Sequence, residues 1–209
     1  MTSINRSFKD LAKKHVEGRD YQIIIASKRS RVLVIAPHGG KIEPGTSEIA
    51  AAIADSDYSL YRFEGLKSHA KKLFHIESHR FDEPSVLQAV AKSEVIIAIH
   101  GQNNRKDVFI MIGGLNSDLR FCVEAALKAA GFDMRPPTKG TGGSDPHNIC
   151  NRGKLRAGVQ LEISRRLRES LKNDSDKLNL FASSIRKAIQ VYLKSNTIAI
   201  RGNPKGSKR

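Results

Sequence analysis

Two runs of apolar, mostly β-branched residues, Val32–Ala36 and Val95–Ile99, contain no polar position at all. A strand with one wet face alternates polar and apolar residues, so runs of this kind belong to strands covered on both sides. That in turn requires a largely parallel sheet between helical layers. Further strand patterns lie at Tyr21–Ala26 and Val108–Ile112, with shorter ones at Ser59–Phe63, Leu73–Ser78, Phe132–Arg135 and Val159–Ile163. Helical patterns fall between them. Thr46–Asp55 opens with a capping hydroxyl after Pro44-Gly45, Asn116–Ala130 stops at Gly131, and Pro84–Lys92 and Asp176–Lys194 complete the set. The expected architecture is an α/β fold, a three-layer α/β/α sandwich on a mostly parallel, mixed sheet. One domain is expected over residues 1–195, followed by a basic tail, 196–209. The stretch Pro136–Pro146 is too long for a plain connector, which makes it functional or disordered.

Both apolar strands end alike. Val32–Ala36 runs into Pro37-His38-Gly39-Gly40-Lys41-Ile42-Glu43, and Val95–Ile99 runs into His100-Gly101. Carboxyl ends of parallel strands share one edge of a sheet, where ligands bind. Two imidazoles and a carboxylate can therefore converge there, and His38, Glu43 and His100 are the protein's share of a catalytic zinc site, one Zn2+ per chain, with a fourth position for water. The helical His-Glu-x-x-His pattern is absent, and Gly39, Gly40 and Gly45 supply the freedom to fold the loop back. Taken singly, a strand-terminal His is more often a hydrogen-bonded structural residue, and Glu43 would pass for a solvated charge. Their coincidence favours the metal.

Glu162, inside the apolar run Gly158–Ser164, is costly to bury alone and needs a cationic or metal partner. It is the candidate general base, and an ion pair with Arg165 or Arg166 at a sheet edge is weighted equally. In Asn148-Ile-Cys-Asn-Arg-Gly153, Arg152 can grip a carboxylate bidentately, while Asn148 and Asn151 add neutral donors; otherwise this is an ordinary polar loop. His147 lies in the long loop, within reach of a substrate. His75 and His79 fall four apart on an expected strand, about 13 Å from each other, too far to chelate one ion. His69 and His15 read as lysine-rich helical surface. Asp82 either orients a ligating imidazole or, the reading favoured here, helps cap the helix beginning at Pro84.

Lys and Arg number 36 against 21 Asp and Glu, a formal charge of +15, which draws polyanions to the chain. No apolar run reaches the roughly 20 residues of a spanning helix, and the first residues lack the apolar segment of a secretion signal. A cytoplasmic chain with no membrane partner is expected. Cys122, in a helix, and Cys150, in a loop, read as reduced packing residues. With no Trp and four Tyr, the chain lacks stacking platforms for bases. A basic nucleic-acid-binding protein remains the competing class, although charge explains neither strand-end histidine.

The segments Ala36–Ala50, Phe63-Glu-Gly65, Ile99-His-Gly101, Ile112-Gly-Gly114, Asn148–Gly153 and Gly158–Glu162 resemble, in the same order, the poly-γ-glutamate hydrolase family of zinc-dependent enzymes from phages and bacteria. The resemblance covers residues 15–195. It implies a zinc-carboxypeptidase-like fold, with His38, Glu43 and His100 matching zinc ligands and Glu162 the acid/base that passes a proton from water to the leaving amine. By the same likeness Arg152 holds a glutamyl carboxylate or the oxyanion, the substrate is the polyanion poly-γ-glutamate, and a phage-encoded member is released on host lysis. A zinc deacylase acting on aminoacyl-RNA would keep the same apparatus and stays open.

Overall fold

The computed structural model describes the backbone of residues 5–201 and side chains as far as Asn196. Seven strands form one sheet: β1 (Tyr21–Ala26), β2 (Val32–Gly40), β3 (Ser59–Gly65), β4 (Val95–Gln102), β5 (Ile110–Gly113), β6 (Met134–Arg135) and β7 (Val159–Ser164). Their order is β1-β3-β2-β4-β7-β5-β6. The centre, β3-β2-β4-β7, is parallel, β1 and β5 are antiparallel to their inner neighbours, and β6 runs parallel to β5. The sheet is thus mixed and mostly parallel, as the wholly apolar strands require.

Strand alternation splits the core in two. Val32, Val34, Ala36, Val95, Ile97 and Ile99 face one side, where they meet α2 (Thr46–Ala54), α5 (Ser117–Ala129), α6 (Arg165–Asn173) and α7 (Ser175–Arg201). Leu33, Ile35, Ile96 and Ala98 face the other side, toward α1 (Phe8–Ala12), α3 (Ala70–Phe74) and α4 (Pro84–Lys92). The chain leaves β2 through α2 to reach β3 on one flank, then returns through α3 and α4 to β4 on the other. β2 and β4 therefore diverge at a topological switch point, and the crevice at their carboxyl ends is the natural ligand position in such a sheet.

Several expectations are corrected. Leu73–Ser78 is not a strand: α3 ends at Phe74 and the following residues are coil, because Phe74 and Ile76 bury their side chains against the sheet without pairing to it. The cap of α2 is Gly45, at φ 97°, and the Thr46 hydroxyl instead donates back to the carbonyls of His38 (3.2 Å) and Glu43 (2.9 Å). Glu83 caps α4, while Asp82 accepts the Phe8 amide and so clips α1 down. His15 is half-buried, edge-on to Phe74 at 4.8 Å. α6 was not anticipated, since its charged sequence hides the buried pair Leu167 and Leu171. β5 starts at Ile110, and Phe132 packs below a strand of only Met134–Arg135. α7 runs through the expected boundary at 196 to Arg201; the rest of the tail, 202–209, and the first four residues lie outside the described residues. No described helix is long and apolar enough to cross a membrane.

Candidate active site

His38 reaches the crevice because β2 carries a bulge. Ala36 pairs with Arg62 and Gly39 with Glu64, three residue steps against two. An unbroken alternation would turn His38 toward the α2 side with Val34 and Ala36; the extra residue turns it to the opposite face, shared by Ile96, Ala98 and His100. The glycines make the bulge possible. A Cβ on Gly39 would collide with the Ser47 hydroxyl, and Gly40, at φ +60°, lies where a Cβ would stand 2.7 Å from the Gly65 carbonyl. The chain then turns back, with the Glu43 amide bonded to the His38 carbonyl at 3.0 Å.

Around His38 the structure gathers Glu43, His100 and His75. His38 Nε2 lies 2.7 Å from the Ile76 carbonyl, which can only accept, so that nitrogen carries the proton and Nδ1 offers its lone pair to the crevice. His100 Nδ1 is 3.1 Å from His38 Nδ1, and Glu43 Oε2 is 3.5 Å from it. Ligand atoms of one tetrahedral zinc, with bonds near 2.0–2.2 Å, stand about 3.3–3.6 Å apart; the Glu43–His38 separation falls in that range and the His100–His38 separation just short of it. Glu43 Oε2 also accepts the Gly101 amide at 2.7 Å, and His100 Nε2 faces Ser78 Oγ at 3.4 Å. The donor set of neutral imidazoles and a carboxylate is chemically that of a zinc site.

His75 joins this group, contrary to its dismissal on the distance to His79. It sits in the coil after α3, and ligand atoms of His38, Glu43 and His75 all lie within 4.8 Å of one another. Its ring is stacked on that of His38, with centroids 4.0 Å apart and planes 26° from parallel, whereas His100 meets His38 at 65°. An imidazole coordinates in its ring plane, and nearly parallel rings in contact do not direct two lone pairs at one point. No spacing in the sequence could have found His75, because a tertiary fold-over brings it there.

Charge follows burial. Burial alone would raise the Glu43 pKa, but His38, His100 and His75 outweigh it and hold the carboxylate below its usual range. Burial first, then His38, pushes His100 down to about 3, and the His38 neighbour, then burial, does the same to His75. Both are lone-pair donors at neutral pH. Glu162 faces the same crevice, being the register partner of His100 on the neighbouring parallel strand. Burial and the nearby Glu43 push it up to about 8, against the opposing pull of Arg168 and Lys71. Arg165 pairs with Glu169 at 2.7 Å instead of Glu162, which accepts a bond from Gln160 Nε2 at 3.2 Å.

The crevice opens as a cleft of about 490 Å³, with His38, Glu43, His75, His100 and Glu162 at its base and Gly140 and Gly142–Asp145 forming one wall. Asn148 and His79 line it as well. Asn151 does not; its side chain is spent on holding the wall, donating to the carbonyls of Gly143 (2.7 Å) and Asp145 (2.9 Å) and accepting from Leu115 and Gly158. Arg152, expected to hold a substrate carboxylate, donates Nη1 to the Phe81 carbonyl at 3.0 Å and is not among the residues lining the cleft. His147 is 85% exposed and paired with Asp145 at 3.1 Å, also outside the lining. A residue not anticipated, Arg168, is buried beneath the site and donates to the carbonyls of Ile163 (3.0 Å), Gln102 (3.2 Å) and Pro44. Its guanidinium fills the space a Cβ on Gly101 would need, so it fixes the backbone on both sides of the cleft base.

The three-layer architecture is one shared with amidases: an N-acetylmuramoyl-L-alanine amidase from Clostridium difficile 630 superposes with a TM-score of 0.54 over 80% of this chain and 99% of that one, at 12% identity. That similarity is one of fold alone. Residues 5–194 match the family model for poly-γ-glutamate hydrolase, and the chain belongs to that family. Among curated relatives, the UPF0714 proteins YmaC and YndL of Bacillus subtilis (strain 168) are each 36% identical, over 158 and 173 residues, covering 74% and 80% of this chain. The chain spans 66% of the length of each. A bacteriophage poly-γ-glutamate hydrolase superposes with a TM-score of 0.88 at 28% identity, covering 92% of this chain and 99% of that one. Zinc-free YndL superposes at 0.84 with 30% identity, covering 90% and 98%.

Proposed function

We propose that this chain is a zinc-dependent hydrolase of γ-glutamyl amide bonds, with poly-γ-glutamate as its substrate. The observation that carries the reading is the approach of His100 Nδ1 (3.1 Å) and Glu43 Oε2 (3.5 Å) to His38 Nδ1 in a cleft that also holds Glu162. Family membership and the likeness to a phage enzyme named for that polymer support the substrate. The zinc-free form described for YndL supports the metal.

In this reading His38, Glu43 and His100 hold one zinc. Bound there, it supplies Lewis acidity and brings the pKa of a coordinated water to near 7. The Ile76 carbonyl keeps the His38 tautomer, and the Gly101 amide steers the Glu43 carboxylate. Glu162 takes a proton from the attacking water and delivers it to the leaving amine. A carboxyl whose pKa lies near neutrality suits both transfers. Asn148 remains a candidate to meet the substrate, and the excess of basic residues gathers a polyanion. Gly140 and Gly142–Asp145 line one side of the cleft.

Purified protein incubated with poly-γ-glutamate, with and without chelator, tests the reading by polymer length. Shortening that chelator abolishes and zinc restores is expected; unchanged length with zinc present rejects the substrate. The competing nucleic-acid reading predicts instead salt-sensitive binding to DNA or RNA that a His38→Ala change leaves intact.

A further inference from the structure

The geometry points to Gln160 as a positioning residue that couples the glycine-rich wall of the cleft to Glu162, an inference that rests on the catalytic reading of Glu162 above. Gln160 lies two residues before Glu162 on β7, on the same face, with 3% of its surface exposed. Its amide is fully engaged. Nε2 donates one hydrogen to the Thr141 carbonyl at 3.0 Å and the other to Glu162 Oε1 at 3.2 Å, while Oε1 accepts from Asn148 Nδ2 at 2.9 Å. Gly143 lies flat against this amide, where a Cβ would approach its Cδ and Oε1 to 2.9 Å.

The consequence is directional. With Oε1 of Glu162 held by Gln160, the other carboxyl oxygen is the one left for proton transfer, and its direction depends on where the wall keeps Thr141. The wall has independent anchors, the Gly114 amide on Gly142 at 2.8 Å and Asn151 on Gly143 and Asp145. Gln160 is the bond that joins it to the acid/base. A buried amide with three polar contacts beside the candidate acid/base is a costly device for packing alone, since an apolar side chain of the same length would need none of them.

The test compares Gln160→Met, similar in length but without the three bonds, Glu162→Gln, and the double variant. Gln160→Met is expected to lower kcat by on the order of 10-fold or more with KM little changed, since a misdirected catalytic group costs that much for small displacements. The double variant should turn over no more slowly than Glu162→Gln alone, because both changes act through one carboxyl. Zinc content should match the unmodified protein in all three. Trypsin should cut after the exposed Lys139 faster in Gln160→Met, as the wall loses its Thr141 tie. Gly143→Ala, which presses on the amide from the other side, serves as a second route to the same kcat loss should Gln160→Met melt early. Unchanged kcat in both variants, or losses that multiply in the double variant, would overturn the coupling. Should Glu162→Gln keep full turnover, the catalytic reading of Glu162 fails, and the tryptic rate at Lys139 still decides whether Gln160 holds the wall.

Discussion

Glu162 is a carboxyl lodged between an apolar strand and a second carboxylate, and its titration gives the site a signature. In the metal-free protein its pKa is pushed up to about 8 from 4.5. Between those values the folded chain holds a proton the unfolded chain has lost, so stability falls as pH rises from about 4.5 to about 8. Glu162→Gln removes that penalty. Metal-free variant should melt above metal-free parent at pH 8 and level with it at pH 4; since part of the carboxyl faces cleft water, a gain on the order of 1–3 kcal/mol is expected from thermal melts. His100 acts with the opposite sign: neutral in the fold down to about 3 while its unfolded form protonates near 6.5, it lowers stability as pH falls through that window. With zinc and poly-γ-glutamate, Glu162→Gln should lose turnover by a factor on the order of 10²–10⁴ while keeping its metal, and loss of the metal would show that Glu162 is a ligand instead. His38 and His100 were legible because each ends a wholly apolar strand, Glu43 through its place in the loop just past His38, and Glu162 because a carboxylate among buried strand residues demands a partner. His75 was not, since only the fold brings it to His38.

At the scale of elements, the bulge in β2 decides whether the site exists. Gly40→Ala forces a side chain into a left-handed backbone position already crowded by Gly65. It should cost about 1–3 kcal/mol in denaturant unfolding and weaken zinc binding more than Gly18→Ala, which shares the left-handed backbone (φ +81°) but has nothing within reach of a Cβ. The strands were readable from their β-branched, unalternating composition, and α5 from its cap and its terminal Gly131. The bulge was readable only as glycines permitting a turn, because nothing in the spacing said that one extra residue would reverse the face of His38. The segment after Phe74 imitated a strand because Phe74 and Ile76 are both buried, a period that packing produces without pairing. α6 stayed unread for the converse reason: buried Arg168 occupies an inward position of the helix, so its apolar stripe is broken in sequence though continuous in space.

Across the whole molecule, the charge of +15 and the central cleft act at different ranges. Attraction of a polyanionic substrate is long-ranged and screened beyond about 10 Å at 0.1 M salt, so KM for poly-γ-glutamate should rise with ionic strength while kcat holds steady. A KM indifferent to salt would mean the basic surface serves another partner. In the proposed site the metal would also tie two adjacent strands to a loop, since β2, its following loop and β4 would each supply a donor. Saturating zinc at about 1,000 times its Kd adds about 4 kcal/mol of stability by mass action, visible as a higher Tm. The decisive measurement is equilibrium zinc binding to the parent chain beside His100→Ala and His75→Ala. One zinc per chain is expected, with affinity falling by at least about 100-fold in His100→Ala and changing little in His75→Ala. No bound zinc in the parent, or a loss confined to His75→Ala, would contradict the His38, Glu43 and His100 centre.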